Sequence, residues 1–447
     1  MKRLLPLLVF LFITPSFLIA QAIEVKVVET ESGIGLTRGG EPYYIKGAGG
    51  HGQLDELLYL GGNSIRTWSA ENAQEILDAA HEKGLTVMFG LWVQHERHGF
   101  DYNDEVAVQK QLDRFTAVVE RYKDHPALLM WGVGNEVDLF YSNTKVWDAI
   151  QGICSMIHEI DPKHPTSSVT AGLDSNEVHE INTRVPDLDI YGVNTYGDLW
   201  KVPGNIRKFG WKGPYIISEW GPNGHWEVAK TKWGAPIEQT STEKAASYNK
   251  RYTEYIASDT GKCLGSYVFL WGQKQETTAT WYGLFSAEGK ATEPLDKLYL
   301  AWQKKDPENF SPSVDTLLLD GRSGLDNIYL KSEDKYEATL AFSDRDSKRV
   351  KVEWYVYTES VAQSSGGDFE EAIPPVLGVL SRRRDHSVRI RAPKEEGAYR
   401  LFVYVTDQED RVAYANIPFY VLPRTKEDPP SRPVRFKKQT LDINTQP

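Results

Sequence analysis

The chain has 447 residues, of which 40% are hydrophobic, and it carries a formal net charge of −11. That length and that apolar fraction are sufficient for two domains with sizeable cores. The acidic balance, with no run of Lys or Arg, argues against nucleic acid and anionic membrane surfaces as partners.

The first 22 residues, MKRLLPLLVFLFITPSFLIAQA, have the pattern of a secretory signal peptide. A cationic start precedes the mostly apolar run Leu4–Ile19, and the small residues Ala20 and Ala22 mark a cleavage site. A membrane anchor is the alternative, but the apolar run is short and contains two prolines. The sequence therefore predicts a secreted or periplasmic protein with no integral membrane span.

From residue 42 to residue 303 short apolar runs alternate with segments of helical periodicity, which predicts parallel strands joined by right-handed crossovers. The eight runs are Tyr43–Lys46, Asn63–Trp68, Thr86–Trp92, Leu128–Gly132, Thr166–Thr170, Leu188–Asn194, Tyr215–Ser218 and Leu264–Trp271. Eight such units are typical of a (β/α)8 TIM barrel, in the α/β class. An open doubly wound sheet is disfavoured because the glycine-rich KGAGGHG, after the first run, lacks the spacing of a dinucleotide-binding turn. We assign residues 23–41 to an N-terminal hairpin and residues 42–305 to the barrel.

After residue 312 the pattern changes to short alternating runs separated by turn signals, with no helical segment between them. This pattern predicts a C-terminal immunoglobulin-like β-sandwich over residues 312–422. A structural spacer and a polysaccharide-binding module are both open roles for it. Residues 423–447 are rich in proline and charge, and we expect them to be disordered.

Neither a metal nor a cofactor is expected. Cys154 lies in a helical pattern and Cys263 begins an apolar run, so two buried free thiols are predicted rather than a disulfide. The segment HERH, residues 95–98, resembles a metal motif but lacks a pair of histidines four residues apart on a helix. No other spacing in the chain is typical of a zinc site.

Polar and aromatic side chains follow the predicted strands, where the active site of a TIM barrel lies. Strand two ends with Arg66 and Trp68. From these strand ends and the loops after them we select as substrate-binding candidates Arg66, Trp92, Asn135, Asn194, Tyr196, Trp220, Trp271, Gln273 and Trp281. Trp and Tyr suit this role because their rings offer a flat apolar face with a polar edge.

Two carboxylates, Glu136 and Glu219, come directly after the fourth and seventh runs. In a closed barrel these strand ends face one cleft. Either residue alone could be a capping or salt-bridged side chain. Together they suit glycosidic cleavage, in which one carboxylic acid protonates the leaving oxygen while the other carboxylate attacks or activates water.

The segments WGVGNE and IISEWG, which contain these two glutamates, resemble the signatures of clan A glycoside hydrolases, a group of retaining (β/α)8 enzymes. The resemblance implies that Glu136 is the acid/base and Glu219 the nucleophile. It also implies that Asn135 binds the sugar 2-hydroxyl and that Arg66 and Tyr196 hydrogen-bond the nucleophile. Trp271 would be the platform under the reacting sugar.

The arrangement of one barrel and a following sandwich is similar to glycoside hydrolase family 158, which are endo-β-1,3-glucanases. We therefore expect a secreted retaining enzyme that cleaves β-glucan. Other clan A β-glycanases, such as β-mannanases and β-galactanases, and a glucan transglycosylase are alternatives. A non-catalytic carbohydrate-binding barrel is the alternative from another class, but it is disfavoured because both carboxylates are present.

Overall fold

The computed structural model describes residues 22–346, 349–362 and 366–425. The predicted signal peptide up to residue 21 and the tail from residue 426 lie outside these ranges. Within them, no helix combines the length and apolar character needed to cross a membrane.

A small antiparallel sheet precedes the barrel. Its strands are β1 (Val25–Thr30), β2 (Gly33–Arg38) and β3 (Glu41–Tyr43). The predicted hairpin therefore has a third strand, and the prediction that Tyr43 opens the barrel is wrong. Tyr43 pairs with Leu36 of β2 instead, and its hydroxyl donates to the carbonyl of Asn63 at 2.9 Å.

Eight parallel strands close into a barrel in chain order, so the predicted fold class is confirmed. They are β4 (Ile45–Gly49), β5 (Ser64–Arg66), β6 (Thr86–Leu91), β7 (Leu128–Asn135), β8 (Thr166–Ala171), β9 (Ile190–Asn194), β10 (Tyr215–Trp220) and β11 (Cys263–Val268). The helices around them are α1 (Leu54–Tyr59), α2 (Ala73–Glu82), α3 (Glu105–Tyr122), α4 (Lys145–Ile160), α5 (Ser175–Arg184), α6 (Val202–Lys208), α7 (Ser241–Arg251) and α8 (Pro294–Gln303).

The apolar faces of the amphipathic helices pack against the apolar strands, and together they form one core between the barrel and the ring of helices around it. Every residue of β6, β7 and β10 is buried. Helix α3 begins at Asp104, whose carboxylate accepts from the backbone amides of Val106 and Ala107. Both cysteines are buried free thiols, as predicted.

The C-terminal part is a sandwich of two sheets. One contains β12 (Ala291–Thr292), β14 (Ile328–Lys331), β16 (Lys351–Thr358), β19 (Gly397–Thr406) and β20 (Arg411–Leu422), and the other contains β13 (Ser313–Leu319), β15 (Lys335–Ser343), β17 (Leu380–Arg384) and β18 (Ser387–Arg391). Sequence patterns missed β17 because it is a mostly exposed, charged edge strand, LSRRR, without apolar alternation.

Buried ionic groups hold the sandwich against the barrel. The ammonium of Lys244 lies 2.5 Å from Oε1 of Glu238 and 3.3 Å from the hydroxyl of Tyr414 on β20. Arg400 on β19 donates to the carbonyl of Pro236 in the barrel at 2.8 Å. These side chains are nearly inaccessible to solvent, so buried hydrogen-bonded ionic groups join the two domains.

Candidate active site

Glu136 lies at the rim because β7 turns sharply there. Gly134 has φ of 78° and Glu136 itself has φ of 51°, both in the left-handed region. The backbone amide of Glu136 donates to the carbonyl of Val169 on the neighbouring strand at 2.9 Å. This turn brings the side chain of Glu136 out of the strand and into the mouth of the barrel.

Glu219, on β10, is held by three donors. Arg66 donates from Nη1 to Oε1 at 3.0 Å, Trp68 from Nε1 to the same oxygen at 2.8 Å, and the hydroxyl of Tyr196 to Oε2 at 3.3 Å. The side chains of Arg66 and Glu219 are 2% and 7% exposed. Three donors and a nearby positive charge stabilise the carboxylate, which a nucleophile requires.

Arg66 also organises the amides between the two carboxylates. Its Nη2 donates to Oδ1 of Asn135 at 2.6 Å, and its Nη1 to Oδ1 of Asn194 at 3.2 Å. Asn194 in turn donates from Nδ2 to Oε1 of Glu136 at 2.9 Å. A continuous network therefore joins Glu219 to Glu136 through one guanidinium and one amide.

The two carboxylates have different environments. Burial raises the pKa of Glu136 to about 7, and the negative charge of Glu219 adds to this effect, while the hydrogen bond from Asn194 opposes it. Glu136 is therefore the group that keeps a proton near neutrality, and Glu219 is the group surrounded by donors. Environments that differ in this way mark an acid and a nucleophile.

Both carboxylates line one cavity of about 280 Å³ at the C-terminal end of the barrel strands. Three of the other predicted residues, Trp92, Asn135 and Tyr196, also line it, and Asn194, outside its wall, hydrogen-bonds Glu136. The ring of Trp92 stacks on His95 with centroids 4.8 Å apart. The structure thus brings together the two predicted catalytic residues, with Arg66 bound to Glu219 beside the cavity.

Two predicted tryptophans do not contribute to the cavity wall, and these predictions are corrected. The ring of Trp220 is fully buried between α7 and the segment that follows it, 5.3 Å from Tyr248 and 6.0 Å from Tyr252. Trp271 donates from Nε1 to the carbonyl of Gly52 at 2.8 Å and packs against Phe285. Because β11 ends at Val268, Phe269 and Leu270 reach the cavity wall in its place.

Gln273 and Trp281 also lie outside the cavity. Gln273 donates to the carbonyl of Ala279 at 3.0 Å, within its own loop. Trp281 is 1% exposed and donates from Nε1 to the carbonyl of Asn223 at 2.9 Å. Trp281 therefore links the loops after β10 and β11, whereas Gln273 stabilises its own loop.

Several residues of the cavity were not selected from the sequence. Trp68 lies two positions after Arg66, and the alternation of a strand places both on one face, which is a signal that could have identified it. Lys274 and Glu276 form an ion pair of 2.5 Å in the loop after β11. Gly366 and Gly367 come from the sandwich, and nothing in their local sequence indicates proximity to Glu136.

The connection between β16 and β17 of the sandwich reaches the barrel mouth. Its residue Asp368 accepts from both Nη1 and Nη2 of Arg97, at 2.9 and 3.1 Å. A Cβ atom on Gly366, which has φ of 59°, would lie 3.3 Å from Oε2 of Glu136 and 3.0 Å from Nη2 of Arg97. The second domain therefore contributes backbone directly beside the predicted acid.

Comparison with known proteins agrees with this geometry at the level of the barrel. Residues 54–225, which include both glutamates, match the family model described as glycosyl hydrolases family 2, TIM barrel domain. A β-glucuronidase of Paenibacillus borealis is 25% identical over 222 residues, which are 44% of this chain and 36% of that protein. A probable mannan endo-1,4-β-mannosidase F of Aspergillus flavus is 27% identical over 146 residues, 26% of this chain and 31% of that protein.

Among solved structures, an FMN-binding β-glucuronidase from Faecalibacterium prausnitzii L2-6 superposes with a TM-score of 0.50 at 14% identity, over 90% of this chain and 59% of that one. That likeness concerns the fold alone.

This chain spans about a third of the length of the curated relatives it matches. Over residues 54–225 the barrel is thus similar to the family 2 glycoside hydrolase barrel, and this similarity agrees with the predicted clan A resemblance. The similarity to family 158 receives no support from these relatives.

Proposed function

We propose that this chain, which carries a glycoside hydrolase barrel, is a retaining endo-acting β-glycanase with a neutral polysaccharide as substrate. The observation that supports this most directly is the sharing of one cavity by Glu136 and Glu219 in opposite environments. One carboxyl holds a proton near neutrality, and the other is surrounded by donors. Double displacement requires this division of roles.

In the first step Glu136 donates its proton to the glycosidic oxygen while a carboxylate oxygen of Glu219 attacks the anomeric carbon. The bond to the leaving sugar breaks and an ester bond to Glu219 forms. The ester carries no negative charge, so one cause of the raised pKa of Glu136 disappears. Glu136 can then act as a base, taking a proton from the water that attacks the anomeric carbon and releases Glu219.

The charges in the cavity favour a neutral sugar over a uronic acid, although several relatives are β-glucuronidases. Glu136, Glu219 and Glu276 line the cavity. Among the described residues that line the cavity, Lys274 is the one with a cationic side chain. Its ammonium is already paired with Glu276. A substrate carboxylate would therefore enter a partly buried site without a free cationic partner, which is unfavourable.

For the backbone linkage we propose β-1,3-glucan, on the basis of the similarity of domain arrangement to family 158. Mannan is the competing substrate, because one relative is a probable mannan endo-1,4-β-mannosidase. We also propose export from the cytoplasm, since the first 22 residues have the pattern of a signal peptide.

The test is to incubate the purified protein with laminarin, mixed-linkage glucan, cellulose, mannan, galactan and p-nitrophenyl β-glucuronide, and to follow product sizes with time. We expect a ladder of oligosaccharides from laminarin and no release from the glucuronide. Activity on mannan or galactan alone would refute the linkage and leave the mechanism intact. Hydrolysis of the glucuronide alone would refute the neutral substrate, and an inverted anomer in early products, seen by proton NMR, would refute double displacement.

A further inference from the structure

A second cavity, of about 440 Å³, lies on the other side of Glu136. It shares Glu136, Asn194 and Tyr196 with the catalytic network but does not include Glu219. Glu136 therefore stands between two spaces, one that holds the predicted nucleophile and one that does not.

This position gives the second cavity a specific relation to the reaction. The acid protonates the oxygen of the departing sugar, and that sugar lies on the side of the scissile bond away from the nucleophile. A space that contains the acid but not the nucleophile is therefore where the departing sugar fits.

We propose that this second cavity is the leaving-group subsite and that it binds a neutral β-linked pyranose, with Phe140 and Trp226 as its apolar faces. The assignment rests on the proposed function, since it uses Glu136 as the acid. It adds the location of the departing sugar and the residues that select it.

Phe140 and Trp226 are large aromatic side chains left open to solvent beside the acid. They are 71% and 56% exposed, and both line the second cavity. Phe140 also has φ of 59°, a conformation that a bulky residue rarely adopts. Trp226 packs edge-on against Tyr196, with centroids 5.7 Å apart, and it lines the first cavity as well as the second. Two exposed aromatic rings, one of them at a strained backbone position, are costly if they have only a structural role. Stacking on a sugar ring would give both rings a binding role.

The charges of the cavity define the kind of sugar. Besides the proton-carrying Glu136, the carboxylates that line it are Asp198, which pairs with Lys201 at 2.8 Å, and Glu227, which accepts hydrogen bonds at 2.7 Å from the backbone amides of Gly197 and Gly224. Burial lowers the pKa of His225, whose imidazole also lines the cavity, so this ring stays neutral at physiological pH. Among the described residues that line the cavity none is a lysine or arginine, so a uronic acid would lack a charge partner there and neutral sugars are the favoured occupants.

The sandwich closes one side of this subsite through Gly366. The connection that carries Gly366 is anchored at both ends. Glu359 is paired with the buried Arg400 at 2.5 Å, and Glu370 accepts from the backbone amide of Thr277 in the barrel at 2.9 Å. Gly366 therefore adds a wall from the sandwich to a subsite whose other lining residues come from the barrel.

An occupied leaving-group subsite also has a chemical consequence. When a second sugar enters after the first has left, its hydroxyl can give a proton to Glu136 and attack the anomeric carbon, and the ester bond to Glu219 breaks. A new glycosidic bond then forms in place of hydrolysis. Products longer than the starting oligosaccharide are therefore expected at high substrate concentration.

The test compares Phe140→Ala with Phe369→Ala, a control that removes an equally exposed ring, 91% accessible, from a position that lines neither cavity. Each variant is assayed on an oligosaccharide of the polymer that the unmodified protein cleaves. Each is also assayed on the 2,4-dinitrophenyl glycoside of the corresponding disaccharide. The dinitrophenolate leaves without a proton from Glu136 and without a sugar in the second cavity.

We expect Phe140→Ala to lower kcat/KM for the oligosaccharide by about tenfold, the rate effect of one lost stacking contact. Its kcat/KM for the aryl glycoside should stay within about twofold of the unmodified protein, and the fraction of longer products should fall. Equal losses on both substrates, or no loss on the oligosaccharide, would overturn the subsite. Failure of the proposed function is distinct, because then the unmodified protein cleaves none of the polymers or keeps its activity in Glu219→Ala.

Discussion

Asn194, the last residue of β9, donates a hydrogen bond of 2.9 Å to Glu136, which directly follows β7 and lies 58 positions away in the chain. The other end of the same amide accepts from Arg66, which binds Glu219. The amide of Asn194 is therefore hydrogen-bonded to Glu136 directly and linked to Glu219 through Arg66. Its orientation follows from the donor on one side and the acceptor on the other, and it stabilises the ionised form of Glu136 against the effect of burial.

The pH dependence of kcat/KM should have a basic limb near pH 7. Glu136 must be protonated to act as an acid, and burial raises its pKa to about 7, so activity falls as the pH rises through that value. The measurement is a pH profile on an oligosaccharide. The dinitrophenyl glycoside is the control, since its leaving group needs no proton, and the basic limb should be absent there. A basic limb of equal size with both substrates would contradict the assignment.

Asn194→Ala should move the basic limb to higher pH. The substitution removes a hydrogen bond that favours the carboxylate form of Glu136, so its pKa rises further. The maximal rate should also fall, because Arg66 loses one acceptor. The pH profile separates the two effects, since a merely structural loss lowers the rate at every pH without moving the limb. A shift to lower pH would contradict this account.

Azide should rescue the two catalytic variants with opposite stereochemistry. In Glu136→Ala the glycosyl ester on Glu219 still forms from a dinitrophenyl glycoside, and azide opens it to give the β-glycosyl azide. In Glu219→Ala azide attacks the substrate directly and gives the α-glycosyl azide. Hydrolysis without azide should fall by at least about a hundredfold in each variant. Proton NMR of the products is the measurement, and the same anomer from both variants would refute the roles.

The ion pair between the domains can be tested by charge reversal. Arg97→Asp should lower activity on the polymer, since repulsion from Asp368 displaces the sandwich connection that carries Gly366. The double variant Arg97→Asp with Asp368→Arg should recover part of that activity. Stability should change little, by about 1 kcal/mol or less, because the Asp368 side chain is 40% exposed. Equal activity of the single and double variants would show that the pair has no part in shaping the site.

Lys244→Met should destabilise the protein by about 3–5 kcal/mol, because it leaves the buried carboxylate of Glu238 without its cation. The double variant Lys244→Met with Glu238→Gln should recover much of this loss, since no uncompensated charge remains. Denaturant unfolding of the whole chain is the measurement. A single variant as stable as the unmodified protein would show that this buried pair does not support the interface.

The local sequence determined the barrel and its catalytic pair. Apolar runs of strand length alternating with helical periodicity define a parallel barrel, and parallel strands place every strand end at one edge. For this reason Glu136 and Glu219 could be paired from their positions after two runs, far apart in the chain. Arg66, Asn135, Asn194 and Tyr196 were found in the same way, because each of them also ends or directly follows a strand.

Only the tertiary structure decided which aromatic rings reach substrate and what stands opposite the acid. Trp220 ends β10 and Phe269 directly follows β11, yet one ring is buried under α7 and the other lines the cavity, because packing between neighbouring elements sets the direction of each ring. Gly366 lies beside Glu136 because the sandwich packs against the barrel at this point. The hydrophobic pattern of neither segment indicates this contact. Periodicity reports the environment of a strand or helix, whereas the contacts of long loops depend on how whole domains pack.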